Sequence, residues 1–188
     1  MDTANYPHVT AILQMASLSD YSGIPENIMD AARNRGDVGH QTCALYDDDN
    51  LDIDTVDKRI MPYLNAYIKF LKDTGAIIEA VEQPVQSDIF KYQGTPDRIV
   101  VIGGKRGVLE IKLTANFMPS IVWQLAAYQR AWSEQNPKQK AVTRYAVRLL
   151  PDGNYELPPK DFFRPGDFNV FLAALVIVNA KKERGIKL

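Results

Sequence analysis

Apolar residues keep a helical period in the first part of the chain and switch to an alternating or continuous pattern near residue 76. Pro25 followed by Glu26 predicts a helix start, because proline is tolerated in a first turn. That pattern runs past Ala31 and Ala32 towards Leu45, with a break expected at Gly36. Ile60, Leu64, Tyr67, Ile68 and Leu71 recur at helical spacing, Pro62 belongs near the helix start, and Gly75 closes the pattern. Segments 76–85 and 98–102 are rich in Ile and Val and predict strands. Residues 103–107, Gly-Gly-Lys-Arg-Gly, predict a turn, and 108–113 the strand that returns from it.

Pro119 opens a second helical stretch to about Gln135, where small residues permit close packing. Segment 142–150 predicts a strand, 151–154 a turn and 155–157 a short partner. Asp167 is expected to cap a last helix that runs through Lys182 and ends at Gly185. The order is helices, three strands, helix, two strands, helix. It predicts an α/β protein, a mixed sheet flanked by helices, in one domain over 1–188. Within it, 1–75 is mainly helical, 76–157 holds the core sheet with helix 119–135, and 158–188 the C-terminal helix.

Composition changes this picture little. At 46% hydrophobic and 24% charged, the 188-residue chain has the make-up of an ordinary globular domain. No apolar run reaches the ~18 residues of a membrane helix. The N-terminal residues carry Asp2 and no basic start followed by an apolar run, so no secretory leader and a cytoplasmic location are expected. A lone cysteine, Cys43, excludes an intrachain disulfide and a cysteine-only zinc site.

Charge is uneven. Residues 1–60 hold 4 basic against 11 acidic residues, a net −7, and residues 61–188 hold 18 against 12, a net +6. The acidic excess peaks over residues 46–54, whose Asp spacing misses the calcium-loop pattern and predicts a solvated loop. The basic remainder suits nucleic acid without demonstrating it.

Chemistry concentrates in Gly94-Thr95-Pro96-Asp97, then Glu110-Ile111-Lys112, then Gln124 and Tyr128. On a strand, Leu109, Ile111 and Leu113 share one face while Glu110 and Lys112 share the other. The Gly-rich turn folds that strand back on 98–102 and brings Asp97 near Glu110 and Lys112, in a register that depends on the loop length. Two carboxylates and a lysine suit metal-assisted phosphodiester hydrolysis. Asp97 and Glu110 offer hard oxygens for Mg²⁺ or Mn²⁺, and Lys112 can orient water or stabilise phosphoryl charge. Trp123 and Trp132 are expected in the core, and Lys105 and Arg106 in a solvated turn.

These residues resemble the PD-(D/E)XK nuclease superfamily, in its RecB-like and phage-type exonuclease branch. The resemblance rests on Arg35-Gly36-Asp37-Val38-Gly39-His40, Glu82 before Gln83-Pro84, Gly94 to Asp97, Glu110-Ile111-Lys112, and the Gln-x-x-x-Tyr spacing of Gln124 and Tyr128. It implies a restriction-endonuclease-like core with an N-terminal helical segment, and a metal-dependent DNA exonuclease of recombination or end processing. The alternatives it leaves open are a structure-specific endonuclease and a silent DNA-binding module. It further implies that Asp97, Glu110, the Ile111 carbonyl and His40 hold the metal, and that Glu82 assists, with Glu79 a nearby competitor. Gln124 and Tyr128 would contact DNA and support Lys112. DNA is the implied partner, with a single-strand-annealing or recombination protein and a homo-oligomer also admitted and no membrane role. The four cysteines of an iron–sulfur cluster are missing, so no cluster is expected.

Overall fold

A computed structural model describes residues 6–19, 23 and 25–186. Residues 1–5, on which the expectation of no leader rests, lie outside the described residues.

Among the described residues five α-helices are formed: α1 (Val9–Met15), α2 (Glu26–Asp47), α3 (Met61–Thr74), α4 (Ser120–Gln135) and α5 (Asp167–Glu183). The strands are β1 (Ile77–Val81), β2 (Val85–Ser87), β3 (Tyr92–Gly94), β4 (Arg98–Ile102), β5 (Lys105–Lys112), β6 (Thr143–Leu149) and β7 (Tyr155–Glu156). They make a five-stranded sheet in the order β1-β4-β5-β6-β7 and a separate β2–β3 hairpin. β5 and β6 run parallel, joined through α4, and the other neighbours are antiparallel. The protein is therefore a mixed α/β fold with helices on its sheet.

The sheet is covered on both faces, as its apolar strands require. Ile99, Val108 and Ala146 pack with α1, α4, α5 and the hairpin. The alternate residues Val100, Leu109, Ile111, Val147 and Leu149 pack with Tyr63, Ala66, Tyr67 and Phe70 of α3 and Cys43 of α2. Among the described residues no helix is long and apolar enough to cross a membrane.

Several expected boundaries move. α2 runs unbroken through Gly36, since glycine inside a helix costs only ~1 kcal/mol against alanine and packing outweighs it. Gly39, one turn on, is closely packed: a Cβ there would stand 2.2 Å from Leu113 Cδ2, so the Leu113 side chain, just past the end of β5, would have to shift.

The expected strand over 76–85 stops at Val81, because Glu82 adopts φ 45°. Val85 belongs to the hairpin, which the expected order omits. The turn at 103–107 shrinks to Gly103 and Gly104, with φ 56° and 74°, the conformation a two-residue hairpin turn demands. β5 therefore begins at Lys105, and Ile102 pairs with Lys105 and Arg98 with Leu109.

Gly166, not Asp167, occupies the N-cap of α5. The Asp167 carboxylate instead accepts from Arg144 Nη1 at 2.6 Å and the Arg164 N–H at 2.7 Å. α1, too short to show a period, escaped the pattern altogether. Its start is tied to β3 by the Gln93 N–H donating to the Pro7 carbonyl at 3.0 Å.

Candidate active site

The β4–β5 register decides what meets at the sheet. With Arg98 opposite Leu109, the preceding Asp97 stands beside Glu110, and their side chains leave the face on which α4 lies. The Asp97 Oδ2 accepts the Ile111 N–H at 2.6 Å, which pins the carboxylate to the neighbouring strand. His40 of α2 places Nδ1 3.4 Å from the other oxygen, Oδ1.

Glu110 is buried, with 3% of its surface exposed. Its Oε1 accepts from Lys112 Nζ at 2.5 Å and from Gln124 Nε2 at 2.9 Å. The same Gln124 amide lies 3.3 Å from the Tyr128 hydroxyl, as their four-residue spacing on one helix face allows. The second oxygen of Glu110, Oε2, is buried with no hydrogen-bond partner. A buried carboxylate oxygen is costly to leave unpaired, so this atom marks a place for a cation or a water.

The electrostatics follow from crowding. Burial and the Asp97 charge push Glu110 above the ordinary carboxylate range, against the pull of Lys112. Burial alone would raise Asp97 too, but His40, Lys112 and the Ile111 N–H together hold it low. Burial works to lower His40, yet its charge and hydrogen-bond interactions with Asp97 raise it. The two carboxylates are thus shifted apart, Asp97 downward and Glu110 upward.

His40, Asp97, Glu110, Lys112, Gln124 and Tyr128 line one cleft of about 480 Å³. Ile111 joins them through its backbone, its side chain lying in the core on the far face.

Glu82 does not join them. It follows β1 rather than lying on it, is exposed, and does not line the cleft; its N–H donates to the Asp97 carbonyl at 3.0 Å. Its competitor Glu79 is bound to Arg106, with Oε1 accepting from Nη2 at 2.6 Å. Arg106 is therefore a paired residue, and Lys105, though exposed, opens strand β5 rather than lying in the turn. Trp123 and Trp132 pack partly buried against the α4-side core.

Sequence reasoning missed one wall of the cleft. His8, Thr10 and Gln14 come from the start and open side of α1, whose Val9, Ile12 and Leu13 are buried. It also missed Asp47, assigned to a solvated loop. That carboxylate accepts from Arg98 Nε at 2.5 Å and from the Tyr67 hydroxyl at 2.8 Å. An arginine opening the apolar run Arg98-Ile99-Val100-Val101 was the available signal, since a buried guanidinium demands an acid.

Asp97 and Glu110 are the hard oxygen donors of the cleft and His40 its nitrogen donor. Among the described residues no three His, Cys, Asp or Glu side chains are grouped to hold a metal by themselves. Any ion here would draw further oxygens from backbone, water or substrate, as Mg²⁺ commonly does.

No known protein-family profile matches the chain, and no curated protein matches it. Among solved structures it is similar to an alkaline exonuclease (LHK-Exo) from Laribacter hongkongensis. That likeness has a TM-score of 0.34 and 14% identity, and covers 93% of this chain and 91% of the other.

Proposed function

We propose that the chain is a metal-dependent deoxyribonuclease of the PD-(D/E)XK type, an exonuclease hydrolysing DNA phosphodiester bonds in phage-type recombination or end processing. One observation carries the reading. A carboxylate pair, Asp97 and Glu110, shares a cleft with Lys112, and one oxygen of the pair, Glu110 Oε2, is buried without a partner.

The donor set fits Mg²⁺ or Mn²⁺. Asp97, Glu110 and the Ile111 carbonyl would hold the ion, with His40 as the nitrogen donor that favours Mn²⁺. When bound, such an ion lowers the pKa of water and offsets phosphoryl charge.

The chain's own residues do the rest. Gln124 fixes the Glu110 carboxylate through Oε1 and leaves Oε2, buried and without a partner, for a ligand. The Ile111 N–H fixes Asp97 in the same way. Lys112 has donors only, so beside Glu110 it orients an attacking water or stabilises phosphoryl oxygens. Tyr128, its hydroxyl against Gln124, keeps that amide aimed at Glu110.

End-labelled linear DNA and closed circular DNA, each incubated with Mg²⁺, Mn²⁺ or EDTA, test the reading. Cleavage of linear DNA alone, abolished by EDTA, is expected. Cleavage of both substrates would replace the exonuclease by an endonuclease. No cleavage with either metal would leave a DNA-binding module.

A further inference from the structure

Directly behind Asp97 lies a second polar cluster on the opposite face of the sheet. Arg98 is fully buried, its side chain 0% exposed, and the Asp47 side chain 2% exposed. The guanidinium donates through Nε to Asp47 Oδ2 at 2.5 Å and through Nη1 to the Asp97 main-chain carbonyl at 2.6 Å. Its carbon stands 5.9 Å from the centre of the Tyr67 ring, whose hydroxyl closes the cluster on Asp47. The Asp97 carbonyl also accepts the Glu82 N–H at 3.0 Å.

The helix supplies the other half of the device. His40, Cys43 and Asp47 are spaced three and seven residues along α2 and so share one face. That single face delivers His40 to the carboxylate of Asp97 and Asp47 to the guanidinium of Arg98. Consecutive residues of the β4 edge are thus clamped to one helix, one by each side chain. Buried charge is expensive, and a hydrophobic pair would fill this space at less cost. A charged pair here has a use that an apolar pair lacks: it holds a backbone carbonyl.

We infer that Arg98, held by Asp47 and Tyr67, is a positioning residue that fixes the Asp97 backbone and the α2–β4 spacing, and so sets Asp97 and His40 for the cation. The inference rests on the nuclease reading above. Residues that orient metal ligands from behind commonly change metal affinity or activity by about 10- to 100-fold when removed.

The test uses the full chain and two variants, Arg98→Met and the double Asp47→Asn, Arg98→Met. The single change strands the Asp47 charge and puts the fold at risk. The double change leaves an uncharged acceptor for Tyr67 and removes that hazard. Folding is followed by circular dichroism, Mn²⁺ binding by calorimetry without DNA, and cleavage by kcat and KM separately.

Folded variants are expected to bind Mn²⁺ about 10- to 100-fold more weakly and to lose kcat in proportion. KM for DNA should hold, and raised Mn²⁺ should restore part of the rate. Arg98→Lys, keeping one donor, should fall between. Wild-type Mn²⁺ affinity in either folded variant would overturn the positioning role and leave the nuclease reading standing. Loss of fold in both would also overturn it, reducing the pair to a structural requirement. A wild-type chain that neither binds Mn²⁺ nor cleaves DNA defeats the nuclease reading itself, and the inference with it.

Discussion

Lys112 and Glu110 share a strand face and a 2.5 Å contact, yet the nuclease reading gives them separable work. An ammonium cannot be a cation ligand, so removing it should spare metal binding and damage chemistry. Lys112→Ala is expected to lower turnover by about 100-fold or more, the scale of a lost transition-state contact. DNA affinity measured in Ca²⁺ should change far less. Near-full cleavage by that variant would remove the triplet from the chemistry. His40 offers the complementary test. An imidazole suits Mn²⁺ better than Mg²⁺, so His40→Ala should weaken Mn²⁺ binding more than Mg²⁺ binding in calorimetric titrations. Equal losses would make its 3.4 Å approach to Asp97 merely structural. Asp97 itself is better probed with asparagine than alanine, because its carboxylate satisfies the Ile111 N–H. At this scale residue type and strand alternation were enough to bring Asp97, Glu110 and Lys112 to one cleft, and the Gln-x-x-x-Tyr spacing on a helix brought Gln124 and Tyr128 to the same one. Glu82, expected on the first core strand, lies beyond it and outside the cleft, because one backbone angle, φ 45°, ends β1 before reaching it. No local pattern announces such an angle in a glutamate.

The elements explain why those side chains can meet. α2 must pass close to β5 for His40 to reach Asp97, and Gly39 opens that approach against Leu113. Gly36, in the same helix, has no such duty: nothing lies within 4 Å of where its Cβ would stand. Gly36→Ala should therefore stabilise the protein by up to ~1 kcal/mol through helix propensity. For a domain of this size that raises Tm by about 2–4 °C. Cleavage should be unchanged, and a lowered Tm in a thermal melt would show that the position carries a contact of its own. The two glycines also show how far the chain could be read. The sequence marked Gly36 as a break and said nothing of Gly39, and only the packing shows that Gly39 is the crowded one. The Gly103-Gly104 turn is the reverse case. Two glycines at the tip were enough to forecast a hairpin, but not whether Lys105, Arg106 and Gly107 join the loop or the strand. Cross-strand pairing settled that in favour of the strand.

Taken as a whole, the molecule divides its charges by sheet face. The cleft gathers Asp97, Glu110 and Lys112 on the α4 side. The far side buries Asp47 and Arg98 with Cys43 and Tyr67 beneath α2 and α3. The order of the longer helices and sheet strands was legible because long periodic segments reveal themselves, whereas α1 and the β2–β3 hairpin were too short to do so. The buried ion pair was not, since an Asp at a helix end and an Arg at a strand start are each ordinary until the fold sets them side by side. That far-side core has a pH signature. Burial, the largest influence, pushes the Cys43 thiol from 9.0 up to about 12, with Arg98 opposing. Burial likewise raises the Tyr67 hydroxyl, beside the Asp47 charge. Each group keeps its proton in the folded chain at a pH where the unfolded chain has lost it. Stability is then fully present below pH 9 and falls as pH rises from there towards about 12. Denaturant midpoints measured from pH 8 upward should hold until about pH 9 and then decline. The same burial predicts the thiol's chemistry, since the thiolate is the reacting species. At pH 8 the native chain should resist a thiol-specific reagent such as 5,5′-dithiobis(2-nitrobenzoic acid), and the denatured chain should react at its one cysteine. Rapid labelling of the native chain would mean that α2 opens readily from the sheet, and the clamp that joins Asp47 to Arg98 would then be too loose to set the cleft on the other face.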